Sequence, residues 1–309
     1  LLRKGKGELV KYLEIFLKNI AQVVFMNNKW SGLCILIGLF IANWKIGLGA
    51  TVGSLIALIL APHFNYSEDE INNGLAGYNS VLTAIGLALF LEASLVNWIV
   101  LIVATTLTLP VGAAIREILK PYGLPMLTFP FVFMTWLILA MGMQFSKMHI
   151  TIDILPTKIK HPDISHSHVN FISGIITNFS EIFLVTSIIG SLLIIIGIFI
   201  GSVKGGIYAV VSSILAVICI TLLGGDYPTI TDGLYGYNSI LTGIALGATF
   251  KTKFNPILAV ITGLLLTVVM HGALATTLAP IGLPIFTAPF IFATWLVMFA
   301  GKEQHEVKS

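Results

Sequence analysis

Two passages of this chain are each written twice, and both pairs stand 159 residues apart. Residues 74–83 read Gly-Leu-Ala-Gly-Tyr-Asn-Ser-Val-Leu-Thr, and residues 233–242 read Gly-Leu-Tyr-Gly-Tyr-Asn-Ser-Ile-Leu-Thr, identical at eight of ten positions. Residues 123–136 (Gly-Leu-Pro-Met-Leu-Thr-Phe-Pro-Phe-Val-Phe-Met-Thr-Trp) and 282–295 (Gly-Leu-Pro-Ile-Phe-Thr-Ala-Pro-Phe-Ile-Phe-Ala-Thr-Trp) agree at nine of fourteen. Chance likeness between apolar segments does not keep one register, so the chain is a duplicated half-unit. In an apolar protein such duplication points to a transporter or channel with its site between the halves.

The chain is apolar throughout. Only 10% of its residues are charged and 56% are hydrophobic, where a soluble domain carries about 25% charged residues; mean hydropathy is +0.96. Apolar stretches at 30–43, 46–61, 95–115, 128–145, 171–200, 207–223, 256–279 and 286–300 cover most of the length. Crossing a bilayer core takes about 20 helical residues, only helices and closed barrels satisfy their backbone there, and the alternating segments of a barrel are missing. The expectation is an all-α polytopic membrane protein. Its halves are residues 1–146 and 169–309, joined by a polar linker at 147–168. Each half reads as about five transmembrane helices plus a re-entrant half-helix, and an odd count inverts the second half relative to the first.

Charge sets the orientation. Arg3, Lys4, Lys6, Lys11 and Lys18 crowd the first twenty residues, which by the positive-inside rule places the amino terminus in the cytoplasm. An even total of spans then puts the carboxyl terminus, with Lys302 and Lys308, on the same side. The linker, with Lys147, Lys158, Lys160, Asp153 and Asp163, falls outside a cell membrane crossed many times. The chain starts without Met and shows no cleavable signal pattern, so a trimmed start is expected.

Several function classes drop out. No P-loop lysine is present, which argues against ATP-driven transport. Cys34 and Cys219 do not correspond under the offset and read as buried thiols rather than a disulfide or metal framework. The histidines at 161–168 sit in the polar linker and have loop character. Without a nucleophile–base pair or metal spacing, neither an enzyme, a cofactor nor a nucleic-acid partner is expected.

Two features of each half break the plain-helix pattern. The 74–83 and 233–242 blocks set Gly, Asn and Ser beside an apolar run of only about ten residues, too short to cross. Prolines 125 and 130, like prolines 284 and 289, bracket a single threonine, Thr128 or Thr287. Proline removes backbone donors, so each turn is expected to expose a short run of carbonyl oxygens. Paired interruptions of this kind in two halves are the best sequence pointer to a midplane site.

Polar side chains inside spans are functional candidates by default, and the offset sorts them. Gln22 falls on Glu181, Tyr78 on Tyr237, Asn79 on Asn238, Leu82 on Leu241, and Thr128 on Thr287. Lys45 and Lys204 also correspond, but each opens an apolar run and reads as an interfacial anchor. Glu92, Arg116, Glu117 and His271 have no polar counterpart and read as loop positions or satisfied core contacts. The paired set is rich in acceptors and neutral donors and poor in fixed charge. Cation pores need carboxylate rings and anion pores need Arg or Lys rings, and Glu181 alone meets neither need. The set suits a small, neutral, planar polar solute. The blander reading is that these groups bridge helices, worth about 0.6 kcal/mol per contact on average; it leaves the duplicated Pro-Thr-Pro turns unexplained.

The repeated blocks, Leu124-Pro-Met-Leu-Thr-Phe-Pro-Phe131 and Leu283-Pro-Ile-Phe-Thr-Ala-Pro-Phe290, resemble the Leu-Pro-x-x-Thr-x-Pro-Phe motif of the urea transporter family. The Gly-Tyr-Asn-Ser-x-Leu segments are similar to that family's Gly-Phe/Tyr-Asn segment, and the resemblance runs across essentially the whole chain. It implies a homotrimer in the lipid bilayer, each subunit passing urea down its gradient through a slot between two inverted halves. It further implies that Thr128 and Thr287 form the constriction, Tyr78, Tyr237 and Phe25 are slot aromatics, and Leu82 and Leu241 are slot walls. Gln22 and Glu181 become the polar pair near the two pockets. Leu184 stands where the second half would repeat Phe25, so the second pocket is expected to be one ring short and wider.

Rival readings are a channel for another small neutral solute (a short amide, ammonia or water) and a proton-coupled carrier of urea or amides using Glu181. An ammonia channel would show a paired intramembrane histidine, whereas His271 is matched by Gly112.

Overall fold

The computed structural model describes residues 2–151 and 168–301, with side chains from residue 7 onward. Most of the linker, including Asp153, Lys158, Lys160, His161, Asp163 and His166, lies outside the described residues. So do Lys302, Lys308 and the side chains of Arg3, Lys4 and Lys6.

Among the described residues seven α-helices precede the linker: α1 (Leu2–Ala21), α2 (Lys29–Ala42), α3 (Trp44–Leu60), α4 (Glu68–Asn72), α5 (Tyr78–Phe90), α6 (Leu95–Leu119) and α7 (Phe129–Gln144). Seven follow it: α8 (Phe171–Glu181), α9 (Ile188–Gly201), α10 (Val203–Leu222), α11 (Tyr227–Thr231), α12 (Tyr237–Ile244), α13 (Pro256–Leu278) and α14 (Ala288–Ala300). Among the described residues there is no strand, only an isolated bridge between Leu91 and Ile150.

The two series keep the 159-residue register down to their caps. Asn28 and Ser187 accept the orphan N–H groups that open α2 and α9, Asn43 and Ser202 open α3 and α10, and Ser67 and Asp226 open α4 and α11. A side-chain oxygen at this position stabilises a helix start by about 1 kcal/mol. The residue types differ between the halves while the role is kept.

Spans are fewer by length than the apolar runs suggest. Among the described residues four helical stretches, Trp44–His63, Leu95–Tyr122, Val203–Leu222 and Pro256–Ile281, are long and apolar enough to cross alone. α1 and α2 pass the same test only together and meet at 75° across a short break, the geometry of a broken span or a re-entrant loop. The break follows from local chemistry. Met26 donates to Ala21 and Phe25 to Gln22, a Schellman closure with Phe25 in the left-handed region at φ 64°, and Asn28 then starts the next helix. The remaining apolar helices, α5, α7, α9 and α14, have 10–17 residues, short of the roughly 20 that span alone.

Close packing puts the short helices at the centre. α5 lies against α3, where a Cβ on Gly53 would fall 2.5 Å from the Ser80 carbonyl. The second half meets the same need from the other side, through Gly243 of α12 against Ser212 of α10. α2 and α9, which are counterparts, pack on each other, and the main apolar core includes residues of both halves. Large apolar side chains face outward, including Leu95, Leu222, Ile59 and Val203. On a chain with these spans that surface belongs in hydrocarbon. Cys34 and Cys219 are free and half-buried rather than buried, Cys34 donating to the Leu193 carbonyl at 3.2 Å.

Candidate functional site

The site is built from the two proline–threonine turns. Each turn sets a non-glycine residue in the left-handed region just before its threonine, Leu127 at φ 49° and Phe286 at φ 47°. Such a residue costs about 1–3 kcal/mol and persists only where its surroundings hold it. Here the surroundings are visible. Tyr78 Oη and Asn79 Nδ2 both donate to the Leu127 carbonyl, at 2.7 and 3.1 Å, and Tyr237 Oη and Asn238 Nδ2 both donate to the Phe286 carbonyl, at 2.5 and 3.1 Å. The same asparagines accept from Phe131 and Phe290 at 3.1 and 3.3 Å, orphan N–H groups in the first turns of α7 and α14. For the Asn79/Asn238 pair the helix-bridging role is the one observed.

The threonines then meet. Thr128 Oγ1 and Thr287 Oγ1 are 2.7 Å apart, and the residues are 2% and 0% exposed, so the contact is closed on all sides. Trp136 Nε1 donates to the Pro284 carbonyl at 2.7 Å, and Trp295 Nε1 donates to the Pro125 carbonyl at 2.8 Å. Each indole reaches into the opposite half.

One expectation fails at this point. The turns do not expose a run of free backbone oxygens: in the first half Pro125 O takes an indole, Leu127 O two side-chain donors, and Met126 O and Thr128 O the N–H groups of Phe129 and Val132. The second half repeats the pattern. A carbonyl freed by proline in a dry interior finds another donor, here from α5, α12 and the tryptophans. The polar groups left at the centre are the two hydroxyls.

A cavity lies on either side of the threonine contact. The first, of about 420 Å³, is lined by Gln22, Phe25, Tyr78, Met126, Leu127 and Phe250 among others. The second, of about 520 Å³, is lined by Phe90, Glu181, Leu184, Tyr237, Ile285 and Phe286, with His271 and Thr186. Gln22 Nε2 donates to the Asn73 carbonyl at 2.8 Å, which leaves one amide N–H uncommitted. Glu181 Oε1 accepts from Thr186 Oγ1 at 2.5 Å, and among the described residues it has no cationic partner. Leu184 takes the left-handed conformation at φ 60°, as Phe25 does at 64°, so each is turned out of its helix end into a cavity. Phe183 is fully buried.

The structure corrects three further readings. The second cavity is not short of a ring: Phe286 stands where the first half has Leu127, and Phe90, Tyr237 and Phe286 face Phe25, Tyr78 and Phe250 across the molecule. Leu82 and Leu241, each a helical turn beyond its tyrosine, are buried in the core and line neither cavity. Arg116 and His271 are not mere loop or satisfied core residues. Arg116 lines the first cavity, donates to Glu70 Oε1 and the Asn65 carbonyl at 2.7 Å each, and lies 5.0 Å over the Tyr66 ring. His271 lines the second, 5% exposed and with Nδ1 unpartnered. The signal for both was present in the sequence as a polar residue in a span with no polar counterpart. Glu92 and Glu117 are exposed, as are Lys45 and Lys204.

Glu70, Arg116, Pro125 and Phe250 also border an outer polar recess with Tyr66, Glu117 and Lys120. Burial opposes the charge on Glu70, but hydrogen bonds from Ser67 and the Arg116 guanidinium outweigh it and hold the carboxyl below its ordinary value. The equivalent positions in the second half are Thr229, Ala275, Gly225, Thr276 and Ala279; this charged rim belongs to the first half alone. Among the described residues no cluster of His, Cys, Asp or Glu is arranged to hold a metal.

The family model described as "UT: Urea transporter" matches residues 13–302. Urea transporter 1 of Ovis aries is 26% identical over 303 residues, covering 96% of this chain and 78% of the relative. Urea transporter 1 of Mus musculus is 27% identical over 312 residues, with the same coverage, and that of Rattus norvegicus is 25% identical over 311 residues, covering 98% and 81%.

Proposed function

We propose a transport mechanism from one premise: this chain belongs to the urea transporter family. It passes urea down its gradient across a cell membrane through a slot that joins the two cavities by way of Thr128 and Thr287. The observation that carries the reading is the direct contact of those two hydroxyls between two ring-lined voids.

Urea is flat, with four N–H donors and one carbonyl. Its faces fit between rings, and its edges need partners wherever water is stripped away. Phe25, Tyr78 and Phe250 offer faces in the first cavity, and Phe90, Tyr237 and Phe286 in the second. Gln22 and Glu181 meet the edges. At the centre each hydroxyl exchanges its bond to the other threonine for a bond to urea, so the solute crosses without an unpaired group. Leu82 and Leu241 back this passage from the core, and Leu184 closes the side of the second cavity that Phe25 closes in the first. No fixed charge lies at the narrowest point, which favours a neutral solute.

Residues 1–146 and 169–309 form two inverted halves around this centre, joined by the segment at 147–168. Reciprocal contacts support the relation: Trp136 meets Pro284 as Trp295 meets Pro125, and Thr128 meets its own counterpart. Contacts in which i meets j and j meets i mark a two-fold axis. Both termini are cytoplasmic. Each chain holds a whole slot, and three chains associate as a homotrimer through outward apolar faces.

Stopped-flow light scattering on proteoliposomes tests the reading, comparing urea, methylurea, formamide, ammonia and water. Fast, non-concentrative urea flux, insensitive to a proton gradient, is expected. Concentrative uptake driven by such a gradient would turn the mechanism into a proton-coupled carrier; equal passage of ammonia or water would make it a general small-solute pore.

A further inference from the structure

The two halves, set side by side under the offset, differ by a swap around His271. In the first half its counterpart is Gly112, and the ring of Tyr66 fills the space: a Cβ on Gly112 would fall 2.6 Å from the Tyr66 hydroxyl. That hydroxyl donates to the Leu109 carbonyl at 3.0 Å and is satisfied. In the second half the counterpart of Tyr66 is Gly225, and the imidazole of His271 enters from α13 instead. Its ring packs on Tyr235 at 4.9 Å between centroids, where the first half has Ala76. Unlike Tyr66, it is left with an unpartnered buried nitrogen, Nδ1.

A second swap accompanies the first. Gln22 brings a spare amide N–H to the first cavity, and its counterpart Glu181 is engaged as an acceptor of the Thr186 hydroxyl. The other hydroxyl facing the second cavity, that of Tyr237, is committed to the Phe286 carbonyl. Among the described side chains of this cavity, the imidazole is the one N–H donor without a protein partner. The tautomer follows from Nδ1: a sealed bare lone pair is tolerated better than a sealed bare N–H. A proton on Nε2 leaves the sealed lone pair bare and keeps a ring N–H for a ligand.

We propose that His271 Nε2–H donates to the carbonyl oxygen of urea in the second cavity, replacing the donor that Gln22 supplies in the first. The inference rests on the reading of the chain as a urea conduit. Glu181 then takes an N–H edge of the same molecule, and the imidazole, held by Tyr235, fixes which end of urea points toward the threonines. His271 is thus a substrate-binding residue set by an exchange of residues between the halves.

His271→Phe keeps a ring against Tyr235 and removes the donor. Losing one neutral hydrogen bond of about 0.5–1.5 kcal/mol raises the half-saturating urea concentration about two- to twelvefold. Thiourea, whose sulfur is a poor acceptor, should change less than twofold, so the preference for urea over thiourea falls in the variant. His271→Gln, which keeps a donor, should retain most of it. In histidine-labelled wild-type protein, the Nε2 nitrogen resonance should shift saturably with urea and hardly with thiourea. The proposal is overturned by unchanged half-saturation and selectivity in folded His271→Phe, or by an Nε2 resonance indifferent to saturating urea. Failure of the wild-type protein to conduct urea would instead sink the conduit reading.

Discussion

Replacing the central threonines by valine, singly and together, separates stability from transport. The two hydroxyls are 2.7 Å apart, and each is the other's partner. In Thr287→Val the Thr128 hydroxyl loses that partner in a site only 2% exposed, and an orphaned buried polar group costs about 1–3 kcal/mol. The double variant replaces both hydroxyls by methyl groups of similar shape and forfeits only the net worth of one hydrogen bond, about 0.5–1.5 kcal/mol. The double variant should therefore be no less stable than either single, with an interaction energy of about 0.5–3 kcal/mol in the cycle. Flux should run the other way. A single variant keeps one hydroxyl for urea, whereas the double variant offers none, and a barrier raised by about 1–3 kcal/mol slows passage fivefold to more than a hundredfold. Thermal unfolding of the purified protein and stopped-flow urea flux in proteoliposomes measure the two quantities. Additive stabilities would refute the contact; wild-type urea flux in the folded double variant would remove these threonines from the path.

Glu181→Gln, which installs the residue that the first half carries at position 22, should keep urea flux within about tenfold and create no ion conductance; abolished flux in folded protein would favour the proton-coupled carrier. Leu184→Phe adds a ring to a cavity that already has three, so methylurea flux should fall more than urea flux, at an overpacking cost of about 1–3 kcal/mol in stability; an unchanged ratio in a stable variant would place the side chain outside the path. Arg116→Gln removes the partner of Glu70 at the first-half recess. Because the Glu70 carboxyl is held below its ordinary value, the pair stabilises the protein above the unfolded-state pKa and is lost as pH falls through the lower folded one. The variant's deficit, about 1 kcal/mol at most for so open a pair, should be present near neutrality and vanish in acid; a pH-independent deficit would mean lost packing on Tyr66 instead.

The short central helices and the position of the threonines were legible because they rest on residues that carry one local meaning. A proline-bracketed threonine in an apolar run has few places to go, and its repetition at a fixed offset ties two distant turns together. The fate of the carbonyls was not legible. Proline predicts that an oxygen is released, but its new donor comes from Tyr78, Asn79 or Trp295, between 48 and 170 residues away. The ring count of the second cavity failed for the same reason: the loss at Leu184 shows under the offset, while its compensation by Phe286 over Leu127 requires knowing that both positions face the void. Leu82 was placed by the resemblance of its motif, and a motif carries a role over without saying where a cavity ends.

The proposed two-fold relation explains why some stretches repeat so closely while others have drifted. A residue on such an axis meets its own counterpart, so a change there alters both sides of one contact at once; Thr128–Thr287 is such a place. The Trp–Pro contacts are nearly as constrained, because each indole needs a carbonyl presented by the other half's turn. Away from the axis a residue meets neighbours other than its own counterpart, and an exchange can be compensated by a change at one of them. Tyr66 with Gly112 becomes Gly225 with His271, and Phe25 with Leu127 becomes Leu184 with Phe286, each pair keeping one ring while moving it to the other position. A slot built this way has a symmetric centre and two chemically distinct pockets. Its selectivity at the threonines is common to both directions of travel, whereas its affinity differs between the two ends. Half-saturation measured with urea on one side and then on the other of oriented proteoliposomes should therefore differ, and substituting His271 should move one value and leave the other in place.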